Sequence, residues 1–224
     1  MKKILFFLAL TIVVSASAKK EKRTKVEMLT SMGCITIELY NETPLHRDNF
    51  IKLVKEGYYN DLLFHRVIAD FMIQGGDPDS KNAPEGKMLG EGGPGYTIEA
   101  EFRFPQLFHK RGVLAAVREG DDTNPEKRSS GSQFYIVWGQ TFSRSDLEKI
   151  TQRVEQHSAG AIVFPDEVKK YYMKYGGTPH LDGSYTVFGE VTKGIEVVNA
   201  IQQVDTDNND RPIEDVRILN VVIK

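Results

Sequence analysis

The chain has one cysteine, Cys34, and one tryptophan, Trp138, in 224 residues. A lone thiol excludes an intramolecular disulfide and a thiolate-built zinc centre. Charge of one sign is also missing: 29 Lys and Arg face 31 Asp and Glu, a net −2. Without a basic field or a Lys/Arg block, no nucleic-acid partner is expected. The five histidines, at 46, 65, 109, 157 and 180, lack metal-ligand spacing, so neither a metal nor a cofactor is expected. No period of 20–50 residues recurs, which argues against a repeat protein. With 40% hydrophobic and 27% charged residues, the composition is that of an ordinary globular protein and excludes collagenous or wholly disordered chains.

The longest apolar run, Ile4–Val14, is broken only by Thr11. It falls short of the ~20 residues a spanning helix needs. Lys2 and Lys3 precede it and Ala16-Ser17-Ala18 follows it, the pattern of a cleavable secretory signal. Residues 1–18 are therefore expected to be a signal peptide and 19–25 a polar linker. The mature chain, 19–224, with its globular domain at 26–224, is expected to be exported, to a Gram-negative periplasm or beyond it, with no stable membrane insertion. A single cysteine suits an oxidising compartment, having no intramolecular partner with which to mispair.

Strand patterns dominate what remains. Ile35, Ile37 and Leu39 alternate with polar neighbours after Gly33, which predicts a hairpin over Val26–Tyr40. Thr43-Pro44 predicts a helix start, with Thr43 as N-cap and Leu45, Phe50, Leu53 and Val54 on one face. A second helix is predicted over Gly194–Val204. Six to eight strands with two core helices predict a mainly β protein, a closed antiparallel barrel covered by helices. Residues 141–177 interrupt this rhythm with a helical hairpin, capped at Ser145-Asp146 and reopened at Pro165. Its simplest role is to cover a barrel edge; a long client could also touch its Tyr171, Tyr172 and Tyr175.

Several motifs fail on context. Gly90, Gly92 and Gly95 match a dinucleotide-loop spacing, but Pro94 lies inside it and a strand-like run follows. Asp205, Asp207 and Asn209 resemble the start of a calcium loop, yet Asp210 takes the glycine position and Val216 the terminal glutamate position. Ser129, Ser130 and Ser132 have no nucleophile elbow.

One constellation is specific. Phe64–Asp77, FHRVIADFMIQGGD, sets an arginine, two large apolar side chains and an amide within nine positions. Met72 and Gln74 share a strand face by the two-residue period, which would send Phe71 to the other. This segment resembles the cyclophilin family of peptidyl-prolyl cis–trans isomerases. Gly112–Val117, Ser130–Ile136, Leu181-Asp182-Gly183 and Val187-Phe188-Gly189 follow in that family's order. The resemblance implies an eight-stranded antiparallel barrel with a helix at each end. It also implies a substrate groove for X–Pro bonds in unfolded or extended polypeptides, with Arg66 as the catalytic residue. Phe71, Met72, Tyr135 and Leu181 would form the proline pocket, Gln74 would bond substrate backbone, and Gln133 would lie beside it. The backbone of Val117 and Arg118 would pair with the peptide. His180 and Tyr185 stand where well-known eukaryotic members carry tryptophan and histidine, a pattern often seen in bacterial members. His180 implies weak cyclosporin binding. The implied role is isomerisation during folding of exported proteins; the alternative is a catalytically weak holdase chaperone using the same groove.

Overall fold

Alternation builds the first hairpin, β1 (Lys25–Thr30) and β2 (Gly33–Leu39). Val26, Met28, Ile35, Ile37 and Leu39 are completely buried, while their polar neighbours point outward, as the period of two requires. A computed structural model describes residues 22–224. The expected signal peptide, 1–18, and the start of the 19–25 linker lie outside the described residues.

The following elements are α1 (Pro44–Lys55), β3 (Phe64–Ile68), β4 (Met72–Gly75), β5 (Thr97–Ile98), β6 (Val113–Ala116), β7 (Ser129–Ser130) and β8 (Phe134–Val137). Then come α2 (Arg144–His157), α3 (Asp166–Tyr175), β9 (Val187–Lys193), α4 (Ile195–Ile201) and β10 (Ile218–Ile223). Eight strands form one antiparallel sheet in the order β10-β1-β2-β9-β6-β8-β4-β3, and β5 pairs separately with β7.

The sheet curls, but it is not the closed barrel expected. Its edge strands β10 and β3 share no ladder; one isolated bridge, Leu63↔Arg217, joins the segments leading into them. The reason lies at the seam. Phe64 still donates its N–H to Val216, but Val67 donates to the carbonyl of Asp210, in a turn. On its other side β3 shifts register against β4 between Phe64 and Arg66.

Helix α1 buries His46, Phe50, Leu53 and Val54, whereas Leu45, expected on that face, is 49% exposed. Thr43 makes no side-chain cap. Glu101 replaces it, accepting the N–H groups of Leu45 and His46 at 3.2 and 3.0 Å, a carboxylate favourably placed at a helix N-terminus. The inserted helices α2 and α3 exist as expected, with Ser143, two residues before the expected cap, accepting the Asp146 N–H. They enclose a small core of Leu147, Phe164, Val168 and Tyr172, packed on Phe104 and Phe108. Among the described residues no helix is long and apolar enough to cross a membrane.

Candidate active site

Strand register assembles the site. Arg66 pairs with Gln74, Gln74 with Tyr135, Tyr135 with Ala115, and Ala115 with Val187. Directly paired residues share a sheet face, so Arg66, Gln74 and Tyr135 stand in one row. Ile68, Met72 and Val137 form the next row on that face. The alternate set, Val67, Ile73, Leu114 and Ile136, faces the main core.

Phe71 reaches the same face despite its odd position. The strand starts only at Met72, and Asp70, at φ 57°, turns the chain just before it. A separate apolar cluster results: Met72, Val113, Ala115, Tyr135 and Val137, with Phe71, Val117, Leu181 and Tyr185 half-buried against it. His180 stacks on Phe71 at a ring distance of 5.5 Å. Every residue expected in the proline pocket is therefore in one place.

Polar residues run along one side of this cluster. Arg66, whose side chain is 42% exposed, donates from Nε to Asp210 at 3.3 Å and from Nη1 to Gln74 Oε1 at 3.4 Å. Gln74 donates to Gln133 Oε1 at 3.1 Å, and Gln133 donates to the carbonyls of Gly90 and Gly92 at 2.7 and 2.8 Å. Gln74 also lies 3.4 Å from Nε2 of buried His65. Burial lowers the His65 pKa to about 4, against the pull of Asp77, which leaves the imidazole neutral and able to accept from Gln74. Gly92 serves close approach, since a Cβ there would sit 2.1 Å from Asp77 Oδ1, while Gly90 takes a φ of +110°.

Tyr135 has a buried partner for its hydroxyl. It meets His109 Nε2 at 2.9 Å, and His109 Nδ1 meets Asp182 Oδ1 at 2.9 Å. Asp182 also accepts the His109 N–H and, at 2.5 Å, the hydroxyl of Tyr172 on α3. With a carboxylate at Nδ1, the tautomer is assigned as Nδ1–H, and Tyr135 donates to Nε2. The insert is thus bonded to the pocket through four side chains, all buried. Tyr172 is wholly buried here and is not the exposed client contact expected of it.

Arg118 is more than backbone. It lies 4.6 Å over the Tyr185 ring and donates to the Ser184 carbonyl at 2.7 Å and to Asp121. It fastens the Val117-Arg118 segment to the Tyr185 side of the groove.

Sequence reasoning missed Asp210, His109 and Asp182. Asp210 was legible only as part of a failed calcium loop, and nothing in the spacing links residues 109, 135, 172 and 182. A serine–histidine–glutamate arrangement was also invisible: His46 lies 2.7 Å from Glu101 and 2.9 Å from Ser129 Oγ. All three are buried, so it ties α1 to the 99–101 segment and offers no open nucleophile. Among the described residues no cluster of His, Cys, Asp and Glu could hold a metal ion.

Comparison with known proteins agrees with this geometry. Residues 25–223 match the family model for cyclophilin type peptidyl-prolyl cis-trans isomerases. A Staphylococcus haemolyticus protein named as a peptidyl-prolyl cis-trans isomerase is 33% identical over 206 residues, covering 92% of this chain and 93% of that one. A Streptococcus pyogenes protein named as a bifunctional phosphatase/peptidyl-prolyl cis-trans isomerase is 35% identical, and the match spans 89% of this chain but only 38% of that longer one. A solved Cryptosporidium parvum cyclophilin type isomerase superposes with a TM-score of 0.62 at 25% identity, over 89% of this chain and 98% of that one. Strand register, side-chain convergence and kinship agree: the chain belongs to the cyclophilin-type peptidyl-prolyl cis–trans isomerases.

Proposed function

We propose that this isomerase acts on X–Pro bonds in extended segments of exported proteins, with the Arg66 row as its catalytic edge and the Phe71–Met72–Tyr135–Leu181 cluster as its proline pocket. Rotation about the amide meets a barrier of ~18–20 kcal/mol because resonance is lost. No bond breaks, so the chemistry requires neither nucleophile nor acid–base pair. Twisting pyramidalises the prolyl nitrogen, whose lone pair then accepts a hydrogen bond. Arg66 supplies a permanently charged, rigidly forked donor. Asp210 and Gln74 hold it from two directions. An interaction that strengthens as the amide twists is the kind that raises the rate. A ~10⁵-fold acceleration needs about 7 kcal/mol of it.

The observation that carries this reading is the register-paired Arg66 and Gln74, set beside the apolar Met72–Tyr135 cluster on one sheet face. The Cryptosporidium parvum relative was solved in the presence of the dipeptide Ala-Pro, which supports a proline-containing ligand for this groove. Export rests on the signal pattern of residues 1–18, and the mature domain is taken as 26–224. A protease-coupled assay on an Ala-Pro-Phe peptide tests the activity. Rapid cis-to-trans conversion is expected. Peptide binding without acceleration would instead establish the holdase reading.

A further inference from the structure

His180 belongs to two surfaces. It stacks on Phe71 in the groove, and it also lines a separate cleft of about 420 Å³ between the insert and the 121–127 and 180–184 segments. Ile150, Val154 and Ile162 give this cleft its apolar part, and Arg153 and Lys127 give it cationic heads. The insert is fitted closely there: a Cβ on Gly183 would lie 2.4 Å from Ile162 Cδ1. The cleft is therefore shaped by packed contacts and not by a loose flap.

Its formal charges cancel, two cations against two carboxylates, but both carboxylates are engaged elsewhere than at Arg153. Asp121 is engaged by Arg118 at 2.7 Å and Lys127 at 3.8 Å. Asp182 is fully buried and committed to His109 and Tyr172. Arg153, exposed on α2, has no ion-pair partner among the described residues. An unpaired guanidinium beside apolar side chains suits a carboxylate carried on a short alkyl stem.

We propose that this cleft is a subsite of the substrate polypeptide, taking an acidic side chain, glutamate or aspartate, near the proline held in the groove. The proposal rests on the groove being where proline binds. Because the cleft lies away from the twisting amide, it binds ground state and transition state alike. It should therefore lower KM and leave kcat unaltered.

Proline hexapeptides carrying Glu, Gln or Lys at each position on either side of the proline provide the test. At one position at least, Glu should lower KM about three- to fivefold against Gln, the range of a partly exposed ion pair. The gain should vanish in high salt, where screening shortens to a few ångströms. Arg153→Glu, its fold checked by circular dichroism, should abolish the preference for Glu and favour Lys. Glu, Gln and Lys peptides alike within twofold at every position would overturn the proposal, as would a Glu preference that survives Arg153→Glu. The same series read by fluorescence anisotropy reports the charge preference as affinity. A failed isomerase assignment, with no turnover of Gln peptides, is then distinguishable from a failed subsite.

Discussion

Removing one oxygen from Tyr172 tests whether the insert is part of the pocket's construction. Tyr172→Phe keeps the ring in the Leu147–Phe164–Val168 core and deletes only the hydroxyl that donates to Asp182 Oδ2 at 2.5 Å. Hydrogen bonds to charged groups contribute about 1.5–3 kcal/mol. The loss should sit toward the upper end, since Oδ2 would be left buried without that donor while Oδ1 keeps the His109 N–H and Nδ1. In a domain of this size each kcal/mol moves the melting temperature by about 2–4 °C, so a fall of about 4–10 °C is expected. Peptide turnover should drop a few-fold, because His109 then holds the Tyr135 hydroxyl less firmly. Asp182→Asn should be more damaging, as it removes the carboxylate that fixes the His109 tautomer. Thermal unfolding by circular dichroism and ¹⁵N chemical shifts of His109 give the readouts. A Tyr172→Phe melting temperature within 1 °C of wild type, with unchanged His109 shifts, would refute this linkage. Replacing Arg144–Gly176 with a Gly-Ser linker should lower stability and peptide turnover together, since it also uncovers Phe104 and Phe108.

Three other outcomes are expected. Asp210→Ala should reduce kcat/KM about three- to tenfold with little change in melting temperature, because an exposed ion pair stabilises the fold by under ~1 kcal/mol but here holds Arg66; equal turnover would remove Asp210 as a positioning residue. Acid should destabilise the protein in two stages. His65, at about 4 folded against 6.5 ordinarily, leaves the unfolded chain binding the extra proton, so stability is intact above pH 6.5 and falls by up to about 3 kcal/mol toward pH 4. Glu101 resists the upward push of burial because His46 and Leu45 donate to it, lowering its pKa, so its contribution starts to fall in the usual carboxylate range and disappears only below it; denaturant titrations from about pH 7.5 to about pH 2 should show both, and a flat profile between 6.5 and 4.5 would contradict the His65 part. Cyclosporin should bind weakly and His180→Trp should tighten it, with tight calorimetric binding by the unaltered protein as the contrary result.

Much of the sheet was legible because alternation is local. Ile35, Ile37 and Leu39 announce their own strand, and Met72 and Gln74 share a face of another, β4. Closure was not legible, since it depends on where the Asp210 turn intercepts the N–H of Val67, 143 residues away in sequence. Phe71 shows another limit. Period-two reasoning sends it to the wrong face, and only the left-handed Asp70 turn returns it to the groove. Thr43 holds the N-cap position of α1 as expected, but the side chain that accepts the free N–H groups is Glu101, from a distant segment. A tyrosine in an apolar pocket needs a hydroxyl partner, and no local pattern around Tyr135 identifies one. That partner is His109, backed by Asp182 and by Tyr172 of the insert.

If Arg66 stabilises the twisted amide, removing its guanidinium should remove the catalysis and little else. Arg66 is partly exposed and lies outside the apolar core, so Arg66→Ala should fold and melt nearly as the wild type does. In the protease-coupled assay its kcat/KM should fall by about two to three orders of magnitude, a loss of roughly 3–4 kcal/mol in the transition state. Arg66→Lys should also be impaired, having a point charge in place of the planar fork. A folded Arg66→Ala variant turning over the Ala-Pro peptide within threefold of wild type would contradict the account.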